Sequence, residues 1–152
     1  MRRSEKSIYD PEIIQDVFER GDICRLGMID RDSVYIVPMN FGYENKYIYF
    51  HSARQGRKID ILKENPLVSF EIDVDHKIKA GDSACLWSAS YLSVMGKGRV
   101  EFVSDPGKKM RGLNLIMKKY SRKDDWDFPD DIVAGTLIFR ISTEHISCKG
   151  SK

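Results

Sequence analysis

The sequence predicts a mainly β protein, an antiparallel β-barrel carrying peripheral α-helices. Three observations carry that expectation. After residue 21 the chain breaks into short β-rich runs separated by turn compositions such as "DRDS" and "GYENK". Three helical segments accompany those runs, without the strand–helix alternation of a doubly wound parallel sheet. The chain has 152 residues, the size of one domain able to bury its own core, so residues 1–152 are expected to form a single domain.

The elements follow in order. "DPEIIQDVFER" reads as a helix: Asp10 suits the N-cap, Pro11 the first helical position, and Ile13, Ile14, Val17 and Phe18 share one face before Gly21 ends it. "ICRLGMI" alternates as a strand with Cys24, Leu26 and Met28 on one side. "VYIVPMNF" is β-rich but holds Pro38, which cannot donate to a ladder, so this strand is expected at an edge, bulged or ending there. "YIYF" gives a third strand, and three strands joined by tight turns predict an antiparallel meander. "GRKIDILKEN" is a short helix with Ile59 and Leu62 facing inward, and "PLVSFEI" returns to strand.

Residues 73–90 have no clean period and read as a long polar loop of functional or interface use. "YLSVMGKGRVEFV" is a long strand whose Gly96 and Gly98 share a face, suiting a bulge, a barrel corner or close approach of a ligand. "DPGKKMRGLNLIMKKY" repeats the Asp-Pro helix start, with Met110, Leu113, Met117 and Tyr120 as its expected buried stripe. "SRKDDWDFPDD" is a charged loop, and "TLIFRISTEHISCK" is the closing strand. The sum is six or seven strands with three helices.

Composition excludes several functions. A 41% hydrophobic and 32% charged chain is that of an ordered globular protein. The net charge of +2, with both signs interspersed, gives no basic stripe for nucleic acid. No apolar run approaches the ~20 residues of a membrane span. Arg2 and Arg3 have no apolar core behind them, so no secretory signal is read and a cytoplasmic location is expected. Cys24, Cys85 and Cys148 are odd in number and far apart, which suits reduced thiols. His51, His76 and His145 show no metal-ligand spacing with them, so no metal is expected. "GKG" lacks the pattern and following helix of a dinucleotide fingerprint.

The strongest candidate site is "YFHSARQGRKIDILKENP". Arg57 and Lys58 stand at a helix start, where unpaired N–H groups and the helix dipole favour an anion, and Ser52 can add a hydroxyl. The alternative is a solvated basic helix start, or ion pairing with Asp60 or Glu64. His51 ends the preceding strand, as a structural or a functional histidine. Pro38, Met39 and Asn40 form a second candidate, since proline frees edge backbone and Asn40 offers a donor and an acceptor to a planar heterocycle; the alternative is a plain strand end. Trp87, Tyr91 and Trp126 either shelter an aromatic ring or pack in the core or a dimer interface.

The order of "VPMNF", "YIYFHSARQGRKIDILKENPLVSFEI", "ACLW" and "YLSVMGKGRVEFVSDPGKKMRGLNLIMKKY" resembles the pyridoxamine 5′-phosphate oxidase-like, FMN-binding split-barrel superfamily. Within it the likeness is closest to the nitroimidazole-resistance (Nim-type) flavoproteins, over Cys24 to Lys149. The resemblance implies a six-stranded antiparallel split β-barrel of Greek-key type, in a homodimer with two FMN molecules in clefts shared between subunits. Arg57 and Lys58 would then hold the flavin phosphate with Ser52 assisting. The backbone of Pro38, Met39 and Asn40 would read the ring edge, with His51 beside the flavin and Ser93 approaching from another strand or subunit. The implied activity is an FMN-dependent reductase, passing electrons from NADH or NADPH to a small acceptor such as a nitroaromatic, with His51 as its catalytic candidate. The competing expectation is a flavin- or haem-binding module without turnover, a carrier, sensor or store. The turn "HSARQGRK" is one residue longer than the oxidase turn, and the oxidases' C-terminal Arg- and His-bearing substrate motif has no counterpart in "ISCKGSK", which argues against pyridoxamine phosphate oxidation.

Overall fold

The computed structural model describes residues 4–151; Arg2 and Arg3, on which the reading of the N-terminus rested, lie outside the described residues. The strands are β1 (Ser7–Ile8), β2 (Cys24–Asp30), β3 (Ser33–Met39), β4 (Gly42–Glu44), β5 (Tyr47–Ala53), β6 (Leu67–Lys79), β7 (Ser88–Val103), β8 (Thr136–Ser142) and β9 (Ile146–Ser151). The helices are α1 (Pro11–Arg20), α2 (Arg57–Glu64), α3 (Pro106–Ser121) and α4 (Asp130–Gly135). The Asp-Pro starts work as their chemistry dictates: Asp10 accepts from the Glu12 N–H and Asp105 from the Lys108 N–H, satisfying donors that the helices cannot.

Long β7 is the spine of the sheet. One edge pairs with β6; the other pairs with β9 over Tyr91–Gly96 and with β8 over Val100–Val103. The hydrogen-bonded path runs β3-β2-β6-β7-β8-β5-β4, antiparallel at every step, with β1 added on β9. Its ends do not pair with each other, so the sheet curls without closing: a mainly β, split-barrel architecture with peripheral helices.

Alternation fills the interior with Leu26, Met28, Phe50, Val68, Phe70, Ile72, Val94, Phe139 and Ile141. The two glycines of β7 serve this packing. A Cβ on Gly96 would collide with the Phe70 ring, and one on Gly98 would meet the Ile141 side chain at 2.8 Å. Core side chains occupy that space, rather than a ligand.

Four expectations change. The meander fails after two strands: β2 and β3 form a hairpin, but "YIYF" of β5 pairs with β4 and β8. Short β4 intervenes and carries the chain to the opposite end of the path. Residues 73–90 are mostly not loop, because β6 and β7 continue as a ribbon with Lys77–Lys79 paired to Ser88–Ser90 past a register shift after Val74. Lys77–Lys79 are exposed on both faces and residues 88–90 are at most half-buried, so no strong alternation was imprinted there. The buried positions of α3 are Gly112, Leu113 and Ile116, with Tyr120 partly exposed. Lastly, nine strands and four α-helices among the described residues replace the six or seven and three counted from sequence, the additions being short. Pro38 lies on edge strand β3, one of the three places allowed to it.

Candidate functional site

The turn between β5 and α2 is built from the helix outward. Ile59, Ile61 and Leu62 are buried and fix α2 against the barrel, leaving its first turn at the surface. Gly56 precedes it with φ +122°, a conformation L side chains rarely adopt, and a Cβ there would meet nothing within 4 Å. The Gly56 carbonyl accepts from the Ile59 and Asp60 N–H groups at 2.8 and 3.1 Å, and no side chain caps the helix. The helix start is therefore uncapped and sterically open.

Arg57 pairs with neither Asp60 nor Glu64. It crosses to the β2–β3 hairpin, where its Nε and Nη2 donate to Asp30 Oδ2 at 2.9 and 2.8 Å. Its guanidinium lies 4.6 Å from the centroid of the Tyr35 ring. Lys58 is half-buried and has no carboxylate partner among the described residues. Its charge reaches His51: burial pushes the imidazole pKa below its ordinary value, and Lys58 adds to the fall. The structure thus gathers His51, Arg57 and Lys58 at one end of the barrel, adding Asp30 and Tyr35, which sequence reasoning missed. Asp30 is 27 positions from Arg57 and only the "DRDS" turn hinted at a carboxylate there.

The other predicted residues are placed less uniformly. Ser52 follows His51 on β5 but points to the opposite face and is buried. Pro38 is exposed beside Arg25, whereas the Met39 side chain is in the core, leaving only its backbone for an outside contact. Asn40 is exposed and precedes Phe41, whose N–H donates to the Tyr120 hydroxyl. Tyr35, beside Arg57, and Pro38 lie on one edge strand about 10 Å apart by strand rise, a straight path away from the cations. Ser93 is not brought to the turn: it is buried on β7 between Asp73 and Lys149. Trp126 is tied to α3, its indole N–H donating to Ser121 Oγ and its backbone N–H to Asn114 Oδ1. Tyr91 lies under the Lys6 ammonium, and Trp87 is more than half exposed.

The outward face of β2, β3, β6 and β7 carries a shallow groove of about 850 Å³. Ile36 and Met95 flank its floor of Gly27 and Ser69, and exposed Val34 continues it. No cluster of three or more His, Cys, Asp or Glu suited to a metal ion occurs among the described residues. Likewise, none of their helices is long and apolar enough to cross a membrane.

Comparison with known proteins gives three findings. The family described as pyridoxamine 5′-phosphate oxidase matches residues 10–150. An uncharacterised protein of Rhizobium meliloti (strain 1021), RA0666, is 38% identical over 61 residues, 40% of each chain, so the match spans well under two thirds of that relative. Among solved structures, a candidate 5-nitroimidazole antibiotic resistance protein of Bacteroides thetaiotaomicron VPI-5482 is 32% identical, with a TM-score of 0.84 over 95% of this chain and 86% of that one. The flavocytochrome Anf3 of Azotobacter vinelandii shares the fold at 20% identity, with a TM-score of 0.86 over 100% of this chain and 72% of that one. The FAD- and haem-binding protein of Mycobacterium smegmatis does so at 16% identity and a TM-score of 0.85, over 97% and 74%.

Proposed function

The chain belongs to the pyridoxamine 5′-phosphate oxidase family, and on that premise we propose that it is an FMN-dependent oxidoreductase: a reductase taking electrons from NADH or NADPH and passing them to a small acceptor such as a nitroaromatic. The observation that carries the cofactor assignment is the open, uncapped start of α2, where Lys58 has no carboxylate partner among the described residues and Arg57 keeps free donors. These groups fit a phosphate: backbone N–H groups and the positive dipole end of α2, an ammonium, and the guanidinium edge not engaged by Asp30. When bound, FMN supplies the electron transfer.

The remaining roles follow from position. Pro38, Met39 and Asn40 offer edge backbone to the ring, Met39 through main-chain atoms alone because its side chain is interior. Ser52 is assigned a phosphate-assisting role on the family resemblance alone, since its side chain is buried on the face opposite His51. His51, whose pKa burial and Lys58 push below the ordinary histidine value, orients the acceptor through a hydrogen bond. Ser93 is assigned to a cleft completed by a second copy, since the fold keeps it from this turn. A homodimer seated on the exposed Val34, Ile36 and Met95 face would provide that cleft. The description of the 32% identical protein supports a nitroaromatic acceptor. The free thiols suit a cytoplasmic location.

Absorption spectroscopy after loading with FMN, followed by anaerobic addition of NADH or NADPH and then a nitroimidazole, tests the proposal. Flavin bands that bleach with the donor and return with the acceptor are expected. Bands that never bleach would leave a carrier or sensor, a Soret band would indicate haem, and a colourless protein would end the cofactor assignment.

A further inference from the structure

We propose that Asp30 is the positioning residue for Arg57 and sets the preference for a flavin bearing a 5′-phosphate over one without it. The inference rests on the reading of Arg57 as a phosphate ligand. A guanidinium has five N–H donors in a rigid plane. Asp30 Oδ2 accepts from Nε and from one Nη2 hydrogen, so three donors remain, two of which, one each on Nη1 and Nη2, lie along the edge those nitrogens share. That edge is the one suited to two parallel bonds to a phosphate.

Tyr35 fixes the same group from another direction, its ring lying 4.6 Å from the guanidinium carbon. A carboxylate at the end of β2 and a ring on β3 therefore hold the plane of a side chain rooted on α2. Arg57 itself is 62% exposed and would otherwise sample many rotamers, whereas the Asp30 side chain is only 22% exposed and has little freedom of its own. The Asp30 charge alone would repel a phosphate, but it is already matched to Arg57. Its remaining effect is to remove the cost of ordering the arginine when the ligand arrives.

The measurement is a fluorescence-quenching titration of the wild type, Asp30→Ala, Asp30→Asn and Arg57→Ala with FMN and with riboflavin, read as the ratio of the riboflavin Kd to the FMN Kd. Asp30→Ala is expected to lower this ratio about tenfold with riboflavin affinity unchanged. Asp30→Asn, which keeps an acceptor oxygen, should hold the ratio within about threefold. Asp30→Ser, polar but too short to reach the guanidinium, should behave as the alanine variant and replaces it if that variant does not fold. A ratio equal to or above the wild type in the alanine and serine variants, while Arg57→Ala lowers it, overturns the positioning role and leaves the phosphate reading standing. A wild-type ratio in Arg57→Ala overturns that reading, and the role of Asp30 with it.

Discussion

Two cation clusters of similar composition, "GRK" at the start of α2 and "MKKY" at the end of α3, serve opposite ends in this fold. Lys119 of the second donates to the Phe18 and Glu19 carbonyls at 2.6 and 2.9 Å, closing the C-terminus of α1, and its ammonium lies 4.3 Å from the Phe41 ring centroid. Burial pushes its pKa down to about 8. Tyr120 donates to the Asp22 carbonyl and accepts from the Phe41 N–H. Their polar groups are engaged by backbone, and the cluster is a clasp between α1, α3 and the chain after β3. At α2, by contrast, Lys58 has no acidic partner among the described residues and Arg57 holds one carboxylate oxygen with two of its five donors. What separates a fastening from the proposed binding site is the number of donors left free, a quantity that charge pattern does not contain.

The largest test of that contrast replaces both cations of α2. Arg57→Ala combined with Lys58→Ala should weaken FMN binding about 100-fold, the loss of one or two charge-assisted bonds, with a melting temperature close to the wild type. Equilibrium dialysis beside a thermal melt measures both. Unchanged binding with a lowered melt would make α2 a second clasp. Tyr120→Phe is the smaller, reciprocal change: it removes the hydroxyl joining Asp22 to Phe41 and should cost about 1–2 kcal/mol in urea unfolding while FMN affinity holds. Full stability in that variant would remove Tyr120 from the clasp.

Legibility in the sequence followed the same division. Elements punctuated by their own residues were readable: Asp10-Pro11 and Asp105-Pro106 start helices, and Pro38 marks an edge. Where pairing is chosen by distant residues the reading failed. Nothing in "YIYF" says that β8, some ninety residues on, is a better partner than the strand just made. The extended β6–β7 ribbon escaped because most of its residues are solvent-exposed and left little period to read. At the site, Arg57 and Lys58 were visible as adjacent cations, but the Asp30–Arg57–Tyr35 arrangement needs three elements to meet. The family resemblance supplied the split-barrel architecture, because a motif order records a packing that its residues do not spell out individually, but it did not supply that arrangement.

The smallest predicted effect reads the free charge of Lys58 directly. Burial is the main cause of the depressed His51 pKa and the Lys58 ammonium the lesser one. Lys58→Ala should therefore raise the His51 midpoint, followed by NMR of its ring protons, while leaving it below the ordinary histidine value. Added salt should move the wild type the same way, by screening the ammonium but not the burial. The linked stability has a definite sign. With the folded midpoint below the unfolded one, the unfolded chain binds more protons between the two, so stability rises with pH across that window and is lost as the solution is acidified through it. Lys58→Ala should narrow the window from its lower side. A midpoint indifferent to both the substitution and salt would mean that the Lys58 charge does not reach His51, and the contrast with Lys119 would then rest on Arg57 alone.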